Sequence, residues 1–240
     1  MARASQAALR RTPHGRSRTL TVMVAVGAAV VALALAAAGG GGSGDGTPEA
    51  TAPSATARDQ GPDERGAGPM SLGEAGAPVV MVMYSEFQCP FCGKFARDTE
   101  PELVERFVDD GTLRIEWRDL PYLGQESLTA AAAGRAAADQ RAFWPFAAHL
   151  YANQAPPNSG RLTTEHLTAL AGELGLDARR FRTVMEDEAT LEEVKADVDE
   201  AVKLGITGTP TFFVNGQVIV GAQPTEVFVE AIERAAASSR

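Results

Sequence analysis

The chain is poor in the residues that build metal centres and disulfide scaffolds. Its 240 residues contain two cysteines and three histidines (His14, His149 and His166). A structural zinc site takes about four ligands, and no second Cys-x-x-Cys completes one, so no metal is expected and no cofactor is implied. A structural disulfide closing a four-residue ring removes little entropy from the unfolded chain, so a disulfide scaffold is excluded as well. Basic residues are also scarce beyond the N-terminus. Five arginines and no acid occupy residues 1–44, which leaves 17 basic against 31 acidic residues, a net of −14, in the remainder. That acidic body lacks the basic footprint of a nucleic-acid binder.

Both cysteines fall in a single stretch, Cys89-Pro90-Phe91-Cys92. The apolar run Pro78 to Tyr84 precedes it, and the helical pattern Gly93 to Val108 follows. A Cys-x-x-Cys at a strand-to-helix junction puts the first sulfur at a helix N-terminus, where free N–H groups and the helix dipole favour a thiolate. Cys89 is the candidate nucleophile. Cys92, one turn in, can reach back to resolve a mixed disulfide, so the pair forms a dithiol/disulfide switch.

Ahead of it, residues 1–19 are basic, and Leu20 to Ala38 is a run of 19 uncharged residues. As a helix this run would span ~28 Å. The flanking arginines place the N-terminus in the cytoplasm and the rest of the chain outside it. Two readings stand: a single-pass membrane anchor, or a signal peptide cut near Ala36-Ala37-Ala38 with a secreted product. No cysteine follows the run to carry a lipid. Residues 39–77, rich in Gly, Ala, Pro, Ser, Thr and acids, form a disordered linker that would hold a domain ~35 Å off on average. Both outcomes leave the cysteines in an oxidising compartment.

The folded domain is expected over residues 78–240. Val79 to Tyr84 is a buried strand. Glu100 to Phe107 carries on the helix after the cysteines, and Leu113 to Trp117 alternates as a second strand parallel to the first. Residues 122–204 lack strand character and predict helices at 127–138, 142–153, 164–174, 178–185 and 191–204, with Thr163 and Asp177 as caps. Ile206 to Gly216 then gives a turn, a strand opened by Pro210 and a hairpin turn at Asn215-Gly216, with Gln217 to Val220 returning. A final helix carries Phe228, Ile232 and Ala235 on one face.

Cys89-Pro90-Phe91-Cys92 after an apolar strand, with Thr209-Pro210 before Thr211-Phe212-Phe213-Val214-Asn215-Gly216, resembles the thioredoxin superfamily. The all-helical insert, with Phe87 to Phe95 and Phe143 to Tyr151, resembles its DsbA-like branch of secreted or membrane-tethered bacterial proteins. The resemblance implies an α/β thioredoxin-like fold with a helical insertion between the second strand and the cis-proline strand. It also implies a cis bond at Pro210 packed against the cysteines, and a backbone at Thr209 that pairs with substrate. This branch usually carries a buried acid six residues before the first cysteine, where this chain has Met83. Either water or Glu86, three before Cys89 and expected near the surface turn, then handles the proton, or resolution by Cys92 is slow near neutral pH. Phe87, Phe91, Tyr122 and Leu123 are expected to form an apolar docking surface for clients, and His149 to be a core or boundary residue.

The expected function is that of an extracytoplasmic thiol-disulfide oxidoreductase, oxidising or isomerising disulfides of exported proteins and reset by a further redox partner. Alternatives are a reductase, a tethered peptide-binding or chaperone module, and a redox sensor.

Overall fold

The computed structural model describes residues 68–239. The basic N-terminus, the apolar run and most of the linker lie outside the described residues. A five-stranded sheet has the order β1-β3-β2-β4-β5. Its strands are β1 (Ser71–Leu72), β2 (Val79–Ser85), β3 (Leu113–Asp119), β4 (Thr211–Val214) and β5 (Gln217–Val220). β2 and β3 are parallel and every other pair is antiparallel. β1 enters the sheet before Pro78, inside the expected linker. Two residues are too short to show the alternation that marks a strand in sequence.

β2 is central, buried along its whole length, as its unbroken apolar run requires. Its odd positions, Met81 and Met83, face Phe95, Phe212 and Phe228, whose rings lie 4.5 to 5.2 Å apart. Its even positions, Val80, Val82 and Tyr84, pack with Phe213 and Ala201 on the opposite face.

After β2 comes α1 (Pro90–Asp98), which does not run on to Val108 as a single helix. It stops at Thr99, and a short α2 (Glu100–Leu103) follows, passing into a π-helical turn over Val104–Val108. Pro101 has no N–H to donate and its ring crowds the carbonyl four residues back, which breaks the helix here.

The helical insert holds α3 (Gln125–Asp139), α4 (Phe143–Ala152), α5 (Thr164–Glu173), α6 (Ala178–Met185) and α7 (Glu188–Lys203). Thr163 and Asp177 cap α5 and α6 through their side chains, as expected. α3 is buried on most of its circumference by alanines and Gly134, small enough for α4 to α7 to pack closely around it. The hairpin between β4 and β5 turns on Asn215 (φ 42°) and Gly216 (φ 86°), the left-handed pair an Asn-Gly turn supplies. α8 (Thr225–Ser238) buries Phe228 and Ile232.

The polar side of β3's alternation is not a solvent face. Arg114, Glu116 and Arg118 are buried and joined by ion pairs, with Glu116 between the two arginines. Nearby, Arg135 of α3 bridges Asp119 (2.8 Å) and Asp197 of α7 (2.5 Å). Burial pushes the Asp119 carboxyl up to about 6, with Arg135 pulling the other way. Removing one partner of a buried pair costs about 3 to 5 kcal/mol because the remaining charge has no counterion. Arg135→Leu should therefore lower unfolding free energy by about that much at pH 7.5, and by less at pH 5, where Asp119 can take a proton. Urea titrations at the two pH values check this, and equal losses would show that Asp119 is not the group left exposed to the penalty.

Candidate functional site

Cys89 is the N-cap of α1, with extended backbone (φ −69°, ψ 119°) and Pro90 at the first helical position. Proline fits there because that N–H has no helical partner to lose. Both cysteines are free thiols and both are buried. Cys89 Sγ lies 3.3 Å from the carbonyl oxygen of Thr209, whose bond to Pro210 is cis. The β2/β4 register makes this meeting possible. Tyr84 is paired with Thr211, so the chain just before β4 arrives beside the residues just after β2.

The two thiols are driven apart electrostatically. A hydrogen bond from the Cys92 side chain is the largest influence on Cys89, followed by opposing burial, then by the Thr209 side chain and the N–H groups of Cys92 and Phe91. Together they bring it down to about 5. Burial pushes the Cys92 thiol well up, reinforced by the neighbouring Cys89 and opposed by Ser85. At neutral pH the pair is thus one thiolate and one thiol, with the charge on the sulfur at the helix tip.

Glu86 is not at a surface turn. It is 2 % exposed, packed against Ser127 of α3. Ser127 Oγ donates to its Oε2, while Oε1 is buried with no hydrogen-bond partner. Burial raises its carboxyl from 4.5 to about 7, against Ser127 and the Gln88 backbone, with the Cys89 charge adding to the rise. Met83 packs in the core facing α1. The acid near this site therefore comes from position 86, not 83.

Phe87 is a correction to the expected docking surface. It is 3 % exposed, stacked on Trp117 at 5.0 Å and set against Phe143 and Tyr151. The side chains turned outward are Phe91, 63 % exposed, and Tyr122, 51 %, with Leu123 half-buried. The Tyr122 phenol is raised by burial first, with Thr209, Cys89 and Glu86 as its polar surroundings, so its hydroxyl lies in the neighbourhood of the nucleophile. His149 is half-buried and lines a cavity of about 180 Å³ on the far side of Phe87 and Gln88.

Several residues at the site were not singled out by the sequence for a role there. Gln88 donates to Ser127 Oγ (2.8 Å) and accepts from the Asn158 N–H (2.6 Å). Tyr151 donates to the Glu86 carbonyl (3.1 Å) and lies 3.0 Å from Ser85 Oγ. Each is an ordinary polar residue until the fold brings it to the cysteines.

Fold and site together define a thioredoxin-like domain with a Cys-x-x-Cys dithiol at a helix tip facing a cis-proline loop. Residues 66–234 match the sequence profile of the thioredoxin family, and the chain belongs to that family, in its DsbA-like branch. It is 33% identical over 150 residues to the probable disulfide bond formation protein D of Bacillus anthracis, covering 61% of this chain and 69% of that one. BdbD from Bacillus subtilis, in an oxidised crystal structure, superimposes with a TM-score of 0.65 at 26% identity, over 70% of this chain and 92% of that one. Wolbachia pipientis α-DsbA1 shares the fold, with a TM-score of 0.62 at 22% identity over 71% and 92% of the two chains. A Na(+)/H(+) antiporter NhaA 1 of Salinispora arenicola is 37% identical over 166 residues, 68% of this chain. The chain spans about a quarter (24%) of that relative's length. No helix among the described residues is long and apolar enough to cross a membrane.

The Glu86 environment predicts a pH signature. A carboxyl whose folded pKa is raised contributes stability that is complete below its ordinary 4.5 and is lost as the pH rises through about 7. Glu86→Gln removes that loss, so the variant should gain on wild type by about 1 to 3 kcal/mol between pH 4.5 and 8. Unfolding free energies across that range test it, and parallel profiles would remove Glu86 as the titrating group.

Proposed function

We propose that this protein exchanges disulfides with exported, cysteine-containing proteins outside the cytoplasm, acting mainly as an oxidant. The observation that carries the reading is the Cys89 sulfur, set at the N-terminus of α1 beside the cis Thr209–Pro210 bond and lowered to about 5, chiefly by the Cys92 thiol and further by the N–H groups of Cys92 and Phe91. Stabilising the thiolate stabilises the reduced pair, and a stabilised reduced form is what makes a dithiol a strong oxidant.

In the forward step a client thiolate attacks Cys89 of the disulfide form. The Cys89–Cys92 bond breaks, a client–Cys89 disulfide forms, and Cys92 leaves as a thiolate. Its raised pKa makes it take up a proton at once. A second client thiolate then attacks the client sulfur of the mixed disulfide and releases Cys89 as a stable thiolate. Two electrons pass from client to protein, and a separate disulfide oxidant must remove them in the next cycle. Glu86 is the proton store for this traffic, since a carboxyl near 7 exchanges readily at neutral pH.

The client's extended chain would lie against the backbone before Pro210, with Phe91 and Tyr122 as the apolar contacts at its side. Leu20 to Ala38 with its arginine flank supports an extracytoplasmic domain, tethered or released after cleavage. The kinship with NhaA-named proteins is read as that of a shared domain, since the matched 166 residues are about the length of this one.

The reduction potential of the Cys89/Cys92 pair decides the direction. A value near about −120 mV is expected, and one near about −270 mV would make the protein a reductant. Cys89→Ser should abolish both refolding of a reduced, disulfide-containing substrate and insulin reduction. Full activity in the variant would end the enzyme reading. Phe91→Ala with Tyr122→Ala should raise KM for an unfolded client about 10-fold while leaving exchange with glutathione within about 2-fold. Equal losses on both substrates would place the two aromatics in the chemistry instead of in docking.

A further inference from the structure

The Cys89 carbonyl oxygen accepts two hydrogen bonds. Gly93 N–H donates the first helical bond of α1 to it (3.1 Å), and the side-chain amide of Gln154 donates the other (2.9 Å). The same Gln154 Nε2 also donates to the carbonyl of Phe87 (2.9 Å). Gln154 lies just past the end of α4, 65 residues from Cys89, so the helical insert reaches over and pins the backbone on both sides of Gln88.

The residue after Cys92 is shaped for this contact. Gly93 is buried in α1 with ordinary helical backbone, so its lack of a side chain answers to space and not to φ. A β-carbon there would overlap Gln154 Oε1 and stand 2.7 Å from Arg97 Nη1. Arg97 Nη1 itself donates to the Tyr151 carbonyl (2.7 Å). Thus α1 and the end of α4 are tied at two points, with the Gln154 amide occupying the space that the glycine leaves open.

We propose that Gln154 is a positioning residue for the Cys89 thiolate. By holding the carbonyls of Phe87 and Cys89 it fixes the extended N-cap conformation, which in turn aims the N–H groups of Phe91 and Cys92 at the sulfur. A hydrogen bond to a thiolate is worth its full strength only while donor and acceptor stay aligned. This inference rests on Cys89 and Cys92 being the exchange pair.

The test uses the full-length protein and four variants: Gln154→Ala, Gln154→Glu, Gly93→Ala and the Gly93→Ala/Gln154→Ala double. Two quantities are read, the pH titration of thiolate absorbance at Cys89 and the equilibrium constant of the pair with glutathione. Gln154→Ala should raise the Cys89 pKa and shift the equilibrium about 3- to 10-fold toward a more reducing pair, the size of one well-placed hydrogen bond. Gln154→Glu, similar in shape but presenting oxygens to both carbonyls, should move both quantities in the same direction. Gly93→Ala should act by expelling the amide, so the double variant should match the single Gln154→Ala and show no added shift.

Wild-type titration and equilibrium in the Gln154→Ala and Gln154→Glu proteins would overturn the proposal, as would full additivity in the double variant. If Gly93→Ala does not fold, the two Gln154 variants decide alone. Failure of the underlying exchange reading looks different, because wild type itself would then show no low-pKa thiol and no equilibrium with glutathione.

Discussion

The structure turns on the approach of the Thr209 carbonyl to the Cys89 sulfur. Segments 120 residues apart meet there, and neither could be placed without the other's strand. β2 delivers Cys89 to the sheet's end, while β4, antiparallel beside it, starts at the same level. The helical insert lies between these strands in sequence, so it is closed off by their pairing and folds back over the site that the pairing creates. That is why α4 and the loop after it can supply hydrogen bonds to the carbonyls of Glu86, Phe87 and Cys89.

The insert serves the site chiefly by excluding water around it. Phe87, Trp117, Phe143 and Tyr151 form one aromatic block behind the cysteines. With that block in place, the carboxyl of Glu86 and the thiol of Cys92 are desolvated, and each becomes harder to ionise. Buried polar groups are retained here because partners meet them: Ser127 for Glu86, Ser85 near Cys92, and Gln88 spanning Ser127 and Asn158. Glu86 Oε1 and Thr209 Oγ1, buried without a hydrogen-bond partner, are the exceptions at the site, and the first belongs to a carboxyl that burial makes harder to ionise.

The dithiol, the parallel strand pair and the hairpin were legible in the sequence because each depends on local chemistry: a Cys-x-x-Cys after an apolar run, an alternating second strand, an Asn-Gly turn. The cis bond at Pro210 was implied only by the family resemblance, and β1 gave no signal. The helices of the insert were legible from their period and caps. What could not be read were properties fixed by distant packing. Phe87 has the composition of a docking residue, and only its stacking on Trp117 makes it core. Glu86 looks like a turn acid until α3 covers it, and Arg114, Glu116 and Arg118 look like a wet strand face until ion pairs and α7 close it off. Gln154 had no signal at all, since its role depends on an empty space at Gly93 that means little without the helix beside it.

These pieces fit a single electrostatic constraint. Cys89, Cys92 and Glu86 share one poorly hydrated region, and the charge on any one raises the cost of charging the others. A negative charge there settles on the group with the most donors aimed at it, and of the three Cys89 has the Cys92 thiol and the N–H groups at the tip of α1 around it. Burial is the main cause of the elevated values of Cys92 and Glu86, and the neighbouring Cys89 adds to both. When Cys89 is tied up in a disulfide its charge disappears, and its share of the pressure on Glu86 is relieved. The redox state of that sulfur thereby bears on the proton affinity of the carboxyl beside it.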